Sequence, residues 1–207
     1  GHCGASKSSL LHARLITKPP EVGYDVLPVG PVSGELPAGV ESVDNIYLFN
    51  LMLNLDQSEG DPNRLAGLTL SQFLARLSSD DGEHYYYDQA HVPAQAAGAT
   101  ASSSTQPYVL IIDQFEEIIM THLGRWQERG EFFRQLDQAM ADDPNLWVVL
   151  TLREDYVPPI EPYAPLLVDR MRARFYMERM GVEAAREAVA EPAKLGGRPF
   201  APGVADR

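Results

Sequence analysis

Cysteine is nearly absent from this chain: one residue in 207, Cys3, leaves no internal disulfide possible and fits a reducing compartment. Cations are also scarce. Lys and Arg number 17 against 29 Asp and Glu, a net charge of −12, and no basic stripe is present to neutralise nucleic-acid phosphates. No apolar run approaches the roughly 20 residues that a membrane-spanning helix needs, and no signal peptide opens the chain. The five histidines, His2, His12, His84, His91 and His122, lack metal-ligand spacing, so zinc is not expected. These absences exclude nucleic acid and membrane as partners and lead to a cytoplasmic expectation. With 44% hydrophobic residues the chain is long enough for one α/β domain with its own core.

What the chain does carry is a pair of ordered segments. The small-residue stretch Gly1-His2-Cys3-Gly4-Ala5-Ser6-Lys7-Ser8-Ser9 runs into the apolar spacing of a helix. Small residues let backbone N–H groups close around phosphates, and the helix N-terminus adds its positive dipole end. Gly1, Gly4, Ala5, Ser6, Lys7, Ser8 and Ser9 are therefore the expected phosphate-binding residues, with Lys7 reaching the β- and γ-phosphates and the Ser8 hydroxyl on Mg²⁺. About a hundred residues on, Val109-Leu110-Ile111-Ile112 reads as a buried strand ending in Asp113, which would hold the same ion. Ser6 departs from Gly-x-x-x-x-Gly-Lys-Ser/Thr, standing where the last glycine belongs, at a point where backbone and phosphate come close. A small-residue turn capping an ordinary helix is the plainer alternative, and co-occurrence of the two segments in this order argues against it.

Between these landmarks the sequence alternates strands and helices. A helix is expected over 7–16, stopped by Pro19-Pro20; a proline-bearing edge strand over 24–29; a helix apolar nearly all round over 45–55; and another over 68–77, capped by Thr69 or Ser71. Residues 92–106 are Ala, Ser, Gly, Thr and Gln and read as a flexible insert. After the strand at 107–113, a helix is expected over 114–123 and an amphipathic one over 129–140, with Phe132, Phe133, Leu136 and Met140 on one face. Leu146 to Leu152 is a second apolar strand, too apolar for a surface edge, and a final helix is expected over 182–190. Two such strands separated by a helix imply a parallel sheet covered on both faces. Trp126 and Trp147 are expected in the core or packed at its edge, and Tyr85-Tyr86-Tyr87 as local packing in an acidic loop.

Three further residues point at a terminal phosphate. Glu116 and Glu117 follow Asp113 by three and four residues, and either could orient or deprotonate a water; acids complementing a helix dipole are the alternative. Arg153 ends the second apolar strand, where open α/β sheets place ligand contacts, or else it pairs with Glu154, Asp155 or another acid.

Read together, Gly-x-x-Gly-x-x-Lys-Ser-Ser-Leu-Leu, Val-Leu-Ile-Ile-Asp-Gln-Phe-Glu-Glu and Val-Val-Leu-Thr-Leu-Arg-Glu-Asp-Tyr resemble the novel branch of the STAND P-loop NTPases, relatives of NACHT and NB-ARC domains. The resemblance extends to Asp44-Asn45-Ile46-Tyr47 and to Glu187-Ala188-Val189-Ala190-Glu191-Pro192-Ala193, nearly the whole chain. It implies a P-loop NTPase fold, three-layer α/β/α with a mainly parallel sheet. Residues 1–193 would be the core and 194–207 a connection to a downstream region. Because Gly1 already lies in the phosphate loop, the chain is expected to be a piece of a longer protein, lacking its first strand.

The resemblance also implies a signal-transduction switch that binds ATP or ADP with Mg²⁺, hydrolyses slowly, forms homo-oligomers on activation and controls flanking effector and repeat domains. By position, Lys7 and Ser8 match the Walker A pair, Asp113 the Walker B acid, Glu116 and Glu117 the downstream acids, and Arg153 the sensor arginine. The rival expectations are a degenerate, non-hydrolysing assembly scaffold, motivated by Ser6, and a small-molecule kinase, for which no second substrate motif is present.

Overall fold

The structure, a computed structural model, describes residues 23–90 and 107–176 together with Gly181, Arg186 and Ala190. The glycine-rich segment, the helix expected over 7–16 and the insert over 92–106 lie outside the described residues, as does most of the helix expected over 182–190, of which Arg186 and Ala190 are helical. Contacts divide the chain into two compact units, Gly1–Arg170 and Met171–Arg207. In the second, Phe175 and Tyr176 are exposed.

In the first unit the strands are β1 (Asp25–Val26), β2 (Leu77–Ser78), β3 (Tyr86–Tyr87), β4 (Tyr108–Ile112) and β5 (Leu146–Leu150). The helices are α1 (Ile46–Leu55), α2 (Leu70–Leu74), α3 (Glu117–Met120), α4 (Gln127–Asp142) and α5 (Val157–Ile160), with short 3-10 turns between several of them. Strands β1, β4 and β5 form a parallel sheet in the order β1-β4-β5. The fold is thus α/β with a parallel sheet and flanking helices, compatible with a P-loop NTPase. The central strand β4 buries Leu110, Ile111 and Ile112 completely, as its continuous apolar run requires.

Local chemistry explains several element boundaries. Strand β1 stops after two residues because Pro28 has no N–H to give the ladder. Pairing resumes at Gly30 opposite Ile112, with four residues on this side spanning three on β4. Helix α1 buries eight of its ten residues, matching its all-round apolar pattern, and Asn45 caps it by accepting from the Tyr47 and Leu48 N–H groups. Thr69 and Gln72 form a reciprocal capping box on α2, which ends at Leu74 rather than reaching Leu77. Leu77 instead enters β2, which pairs with β3 in an antiparallel hairpin. That places Tyr86 and Tyr87 in a strand rather than an acidic loop, and Tyr87 stacks on Phe73 at 5.4 Å.

Three further expectations are corrected. The helix expected over 114–123 exists only as α3, because Gln114 enters with φ +52° and His122 leaves with φ +45°, each outside helical geometry. Tertiary donors take the carbonyls that a continuing helix would have used: the Tyr47 hydroxyl bonds Thr121 O at 3.2 Å, and Arg129 Nη2 bonds Ile119 O at 3.0 Å. Strand β5 is not covered on both sides, for among the described residues it borders the sheet and Trp147 is 65% exposed. Trp126 is likewise exposed, so neither tryptophan is a core residue. The core is carried instead by phenylalanines: Phe115, Phe132 and Phe133 meet with ring centroids 5.6–5.9 Å apart, and Tyr163 stacks on Phe133 at 5.1 Å. Along α4 the buried stripe is Phe132, Phe133, Leu136 and Ala139, with Met140 half-buried.

Candidate functional site

Parallel strands leave their carboxyl ends at one edge of the sheet, and β4 and β5 are held in register to their last residues, Ile112 opposite Leu150. The register carries Asp113 and Thr151 out side by side. Thr151 joins the two strand ends three times: its N–H donates to Ile112 O at 3.0 Å, its carbonyl accepts from Phe115 N at 2.8 Å, and its hydroxyl donates to Asp113 Oδ1. Asp113 is buried, and this hydroxyl orients its carboxylate.

The next residues turn sharply. Gln114 takes the left-handed conformation, its carbonyl accepts from Glu117 N at 2.9 Å, and Phe115 is driven into the aromatic core. With Phe115 fixed, Glu116 and Glu117 come off in different directions. Glu116 is buried and its Oε2 accepts from the backbone N–H of Arg153 at 3.3 Å, a brace from the β4 end to the β5 end. Glu117 is half-buried and accepts from the hydroxyl of Ser33, on the loop that follows β1.

Arg153 follows β5 and projects outward. Its guanidinium makes a two-pronged contact with Asp155, Nε to Oδ1 at 3.1 Å and Nη2 to Oδ2 at 2.5 Å, and lies over the Tyr156 ring at 5.4 Å. The Asp155 hydrogen bonds and charge raise the guanidinium pKa further above its ordinary value. The acid-pairing alternative raised by the sequence is therefore the arrangement present, with Asp155 as partner.

Of the predicted site residues, the fold brings Asp113, Glu116 and the Arg153 backbone together at the joined strand ends, with Glu117 beside them on the β1 side. Gly1, Gly4, Ala5, Ser6, Lys7, Ser8 and Ser9 lie outside the described residues. Two contributors were not anticipated, Thr151 and Ser33. Thr151 had a signal, as the one hydroxyl in an apolar run at the same register as Asp113. Ser33 had none, because 84 residues separate it from Glu117. A groove of about 420 Å³ between α2 and α4, lined by Thr69, Gln72, Glu131 and Arg134 among others, contains none of the candidate residues.

Hard oxygen donors at the carboxyl edge of a parallel sheet suit a phosphate-bearing ligand and a divalent cation. Among the described residues no group of three or more His, Cys, Asp or Glu gathers as a metal site. Fold and edge together define an α/β domain whose parallel sheet gathers acids at its carboxyl end. The chain matches the family Novel STAND NTPase 1 over residues 1–207, and it belongs to that family. No curated protein and no solved structure matches it. No helix among the described residues is long and apolar enough to cross a membrane.

Proposed function

We propose that residues 1–193 form the nucleotide-binding core of a STAND switch, which binds ATP or ADP with Mg²⁺, hydrolyses ATP slowly and controls homo-oligomerisation and flanking effector and repeat domains. Residues 194–207 would lead to a downstream region, and the setting would be cytoplasmic. The observation that carries the reading is the convergence of Asp113, Glu116 and the Arg153 backbone at the joined ends of β4 and β5. Lys7, with the backbone of Gly1, Gly4, Ala5, Ser6 and Ser9, would hold the phosphates; Ser8 and Asp113 would hold Mg²⁺. The ion, when bound, neutralises charge on the phosphate oxygens.

The protein's own residues then divide the work. Thr151 keeps the Asp113 carboxylate aimed through its hydroxyl bond. Either Glu116 or Glu117 would orient water, and Glu116 also ties the two strand ends. Arg153 would exchange Asp155 for a terminal phosphate, so that the contact exists only in the triphosphate state. Differential contacts of this kind shift a population between two arrangements of flanking domains.

Titration calorimetry of Mg-ATP and Mg-ADP against wild type and Lys7→Ala tests the reading. Binding that disappears in Lys7→Ala is the expected result; a folded wild type that binds neither nucleotide overturns it. Ser6 favours one second reading, a scaffold that keeps the fold without turnover. A Ser6→Gly variant that gains affinity and turnover over an inactive wild type would support it.

A further inference from the structure

The Ser33 hydroxyl reaches Oε2 of Glu117 because of how the loop 30–34 is laid over the end of β4, not because of any local pattern. Gly30 pairs with Ile112 and lies against α1, where an added Cβ would stand 2.8 Å from Asn54 Cβ. Only a residue without a side chain allows that approach. Beyond it, the buried Asn50 amide donates to the carbonyls on both sides of Ser33, Val32 O at 3.4 Å and Gly34 O at 3.0 Å. His122 Nε2 lies 2.9 Å from the same Gly34 carbonyl, and His122 closes the turn after α3, the helix that Glu117 begins. Ser33 is thereby fixed relative to Glu117 from the α1 side and from the α3 side.

The two acids differ in what holds them. Glu116 meets a backbone N–H and joins strand ends, a structural attachment. Glu117 meets a hydroxyl carried by a separately anchored loop, which constrains the direction of its carboxylate. A carboxylate held at one oxygen presents the other along a defined line, and placement to within about 1 Å decides the efficiency of proton transfer.

We infer that Ser33 is a positioning residue for Glu117, binding Oε2 so that Oε1 is presented to the attacking water, and that Glu117 rather than Glu116 is the acid that acts on it. The inference rests on the nucleotide-hydrolysis reading above. In the step it serves, the water oxygen bonds the terminal phosphorus, the bond to the departing nucleoside diphosphate oxygen breaks, and a water proton passes to Oε1.

The test is Mg-ATP hydrolysis by the full chain, with kcat and KM measured for wild type, Ser33→Ala, Ser33→Thr, Glu117→Gln and Ser33→Ala/Glu117→Gln, alongside Mg-ATP binding by calorimetry. The expected result for Ser33→Ala is a kcat lower by about ten- to a hundredfold with KM and Kd unchanged. Ser33→Thr, which keeps the hydroxyl, restores most of the rate, and Ser33→Ala adds no further loss in the Glu117→Gln background. An unchanged kcat in Ser33→Ala, an equal fall in Ser33→Thr, or an additive fall in the double variant overturns the inference while leaving nucleotide binding standing. A wild type that binds Mg-ATP without turnover also overturns it. A folded wild type that binds no nucleotide overturns the underlying reading, and this inference with it.

Discussion

Truncating Phe115 to alanine tests how the acidic segment is held. The side chain is fully buried and touches both Phe132 and Phe133, with ring centroids 5.8 and 5.6 Å away. Burial loss plus the cavity left behind costs about 3–5 kcal/mol for Phe→Ala in a packed core. The two ring contacts place this site toward the upper part of that range, since each aromatic pair adds about 0.5–1.5 kcal/mol beyond area. Relaxation works against filling the space, because Phe115 N is bonded to Thr151 O at 2.8 Å and the backbone cannot follow a retreating side chain without breaking the join between strand ends. About 4.5 kcal/mol corresponds to a Tm lower by roughly 9–18 °C in a chain of this size. Urea unfolding followed by circular dichroism measures it, with an unchanged m-value confirming that the native state is retained. Trp147→Ala is the internal comparison: a residue 65% exposed should shift stability by no more than about 0.5 kcal/mol. A Phe115→Ala cost below about 1 kcal/mol, or one equal to that of Trp147→Ala, would refute the argument that this ring anchors Asp113 to Glu117.

Asp56→Ala should cost about 3 kcal/mol, the low end for breaking a buried ion pair, because Arg64 remains one-fifth exposed and regains some water. Asp56 also accepts from Ser58 N at 3.2 Å and Tyr87 N at 3.1 Å, so denaturant unfolding should show a larger loss for Asp56→Ala than for Asp56→Asn. At the surface, the hydrogen bond and charge of Asp81 raise the His84 pKa above 6.5, and His84, largest through its backbone N–H, depresses that of Asp81. For the raised histidine the stabilisation is fully present below its unfolded pKa and fades as pH climbs through the folded one; for the depressed aspartate it is present above its unfolded pKa and fades as pH falls through the folded one. The pair therefore contributes most between about pH 4 and 6.5. An NMR titration should place the His84 midpoint above 6.5 and move it down toward 6.5 in Asp81→Asn; a midpoint that does not move would show that the contact is absent in solution.

Whatever depends on local pattern was readable from the residues alone. Continuous apolar runs marked β4 and β5, and the helix between them made them parallel. The all-round apolar stretch after Asn45 marked a buried helix, and a cap was marked at Thr69 or Ser71, of which Thr69 is the one that forms it. Asp113, Glu116, Glu117 and Arg153 were locatable because a strand end is a fixed address in an α/β sheet.

What the pattern could not decide was set by contacts between distant segments. Helix α3 stops where Tyr47, 74 residues from its acceptor Thr121, and Arg129, from the following helix, claim carbonyls at its end. Trp147 is exposed although it sits in an apolar run, because alternation along a strand specifies two faces and only the assembled layers decide which is covered. Arg153 chose Asp155 among several acids by geometry. The partners of the two glutamates differ for the same reason. The order of residues places Glu116 and Glu117 side by side on one turn, and only the packing of loop 30–34 against α1 and β4 brings Ser33 to one of them and not to the other.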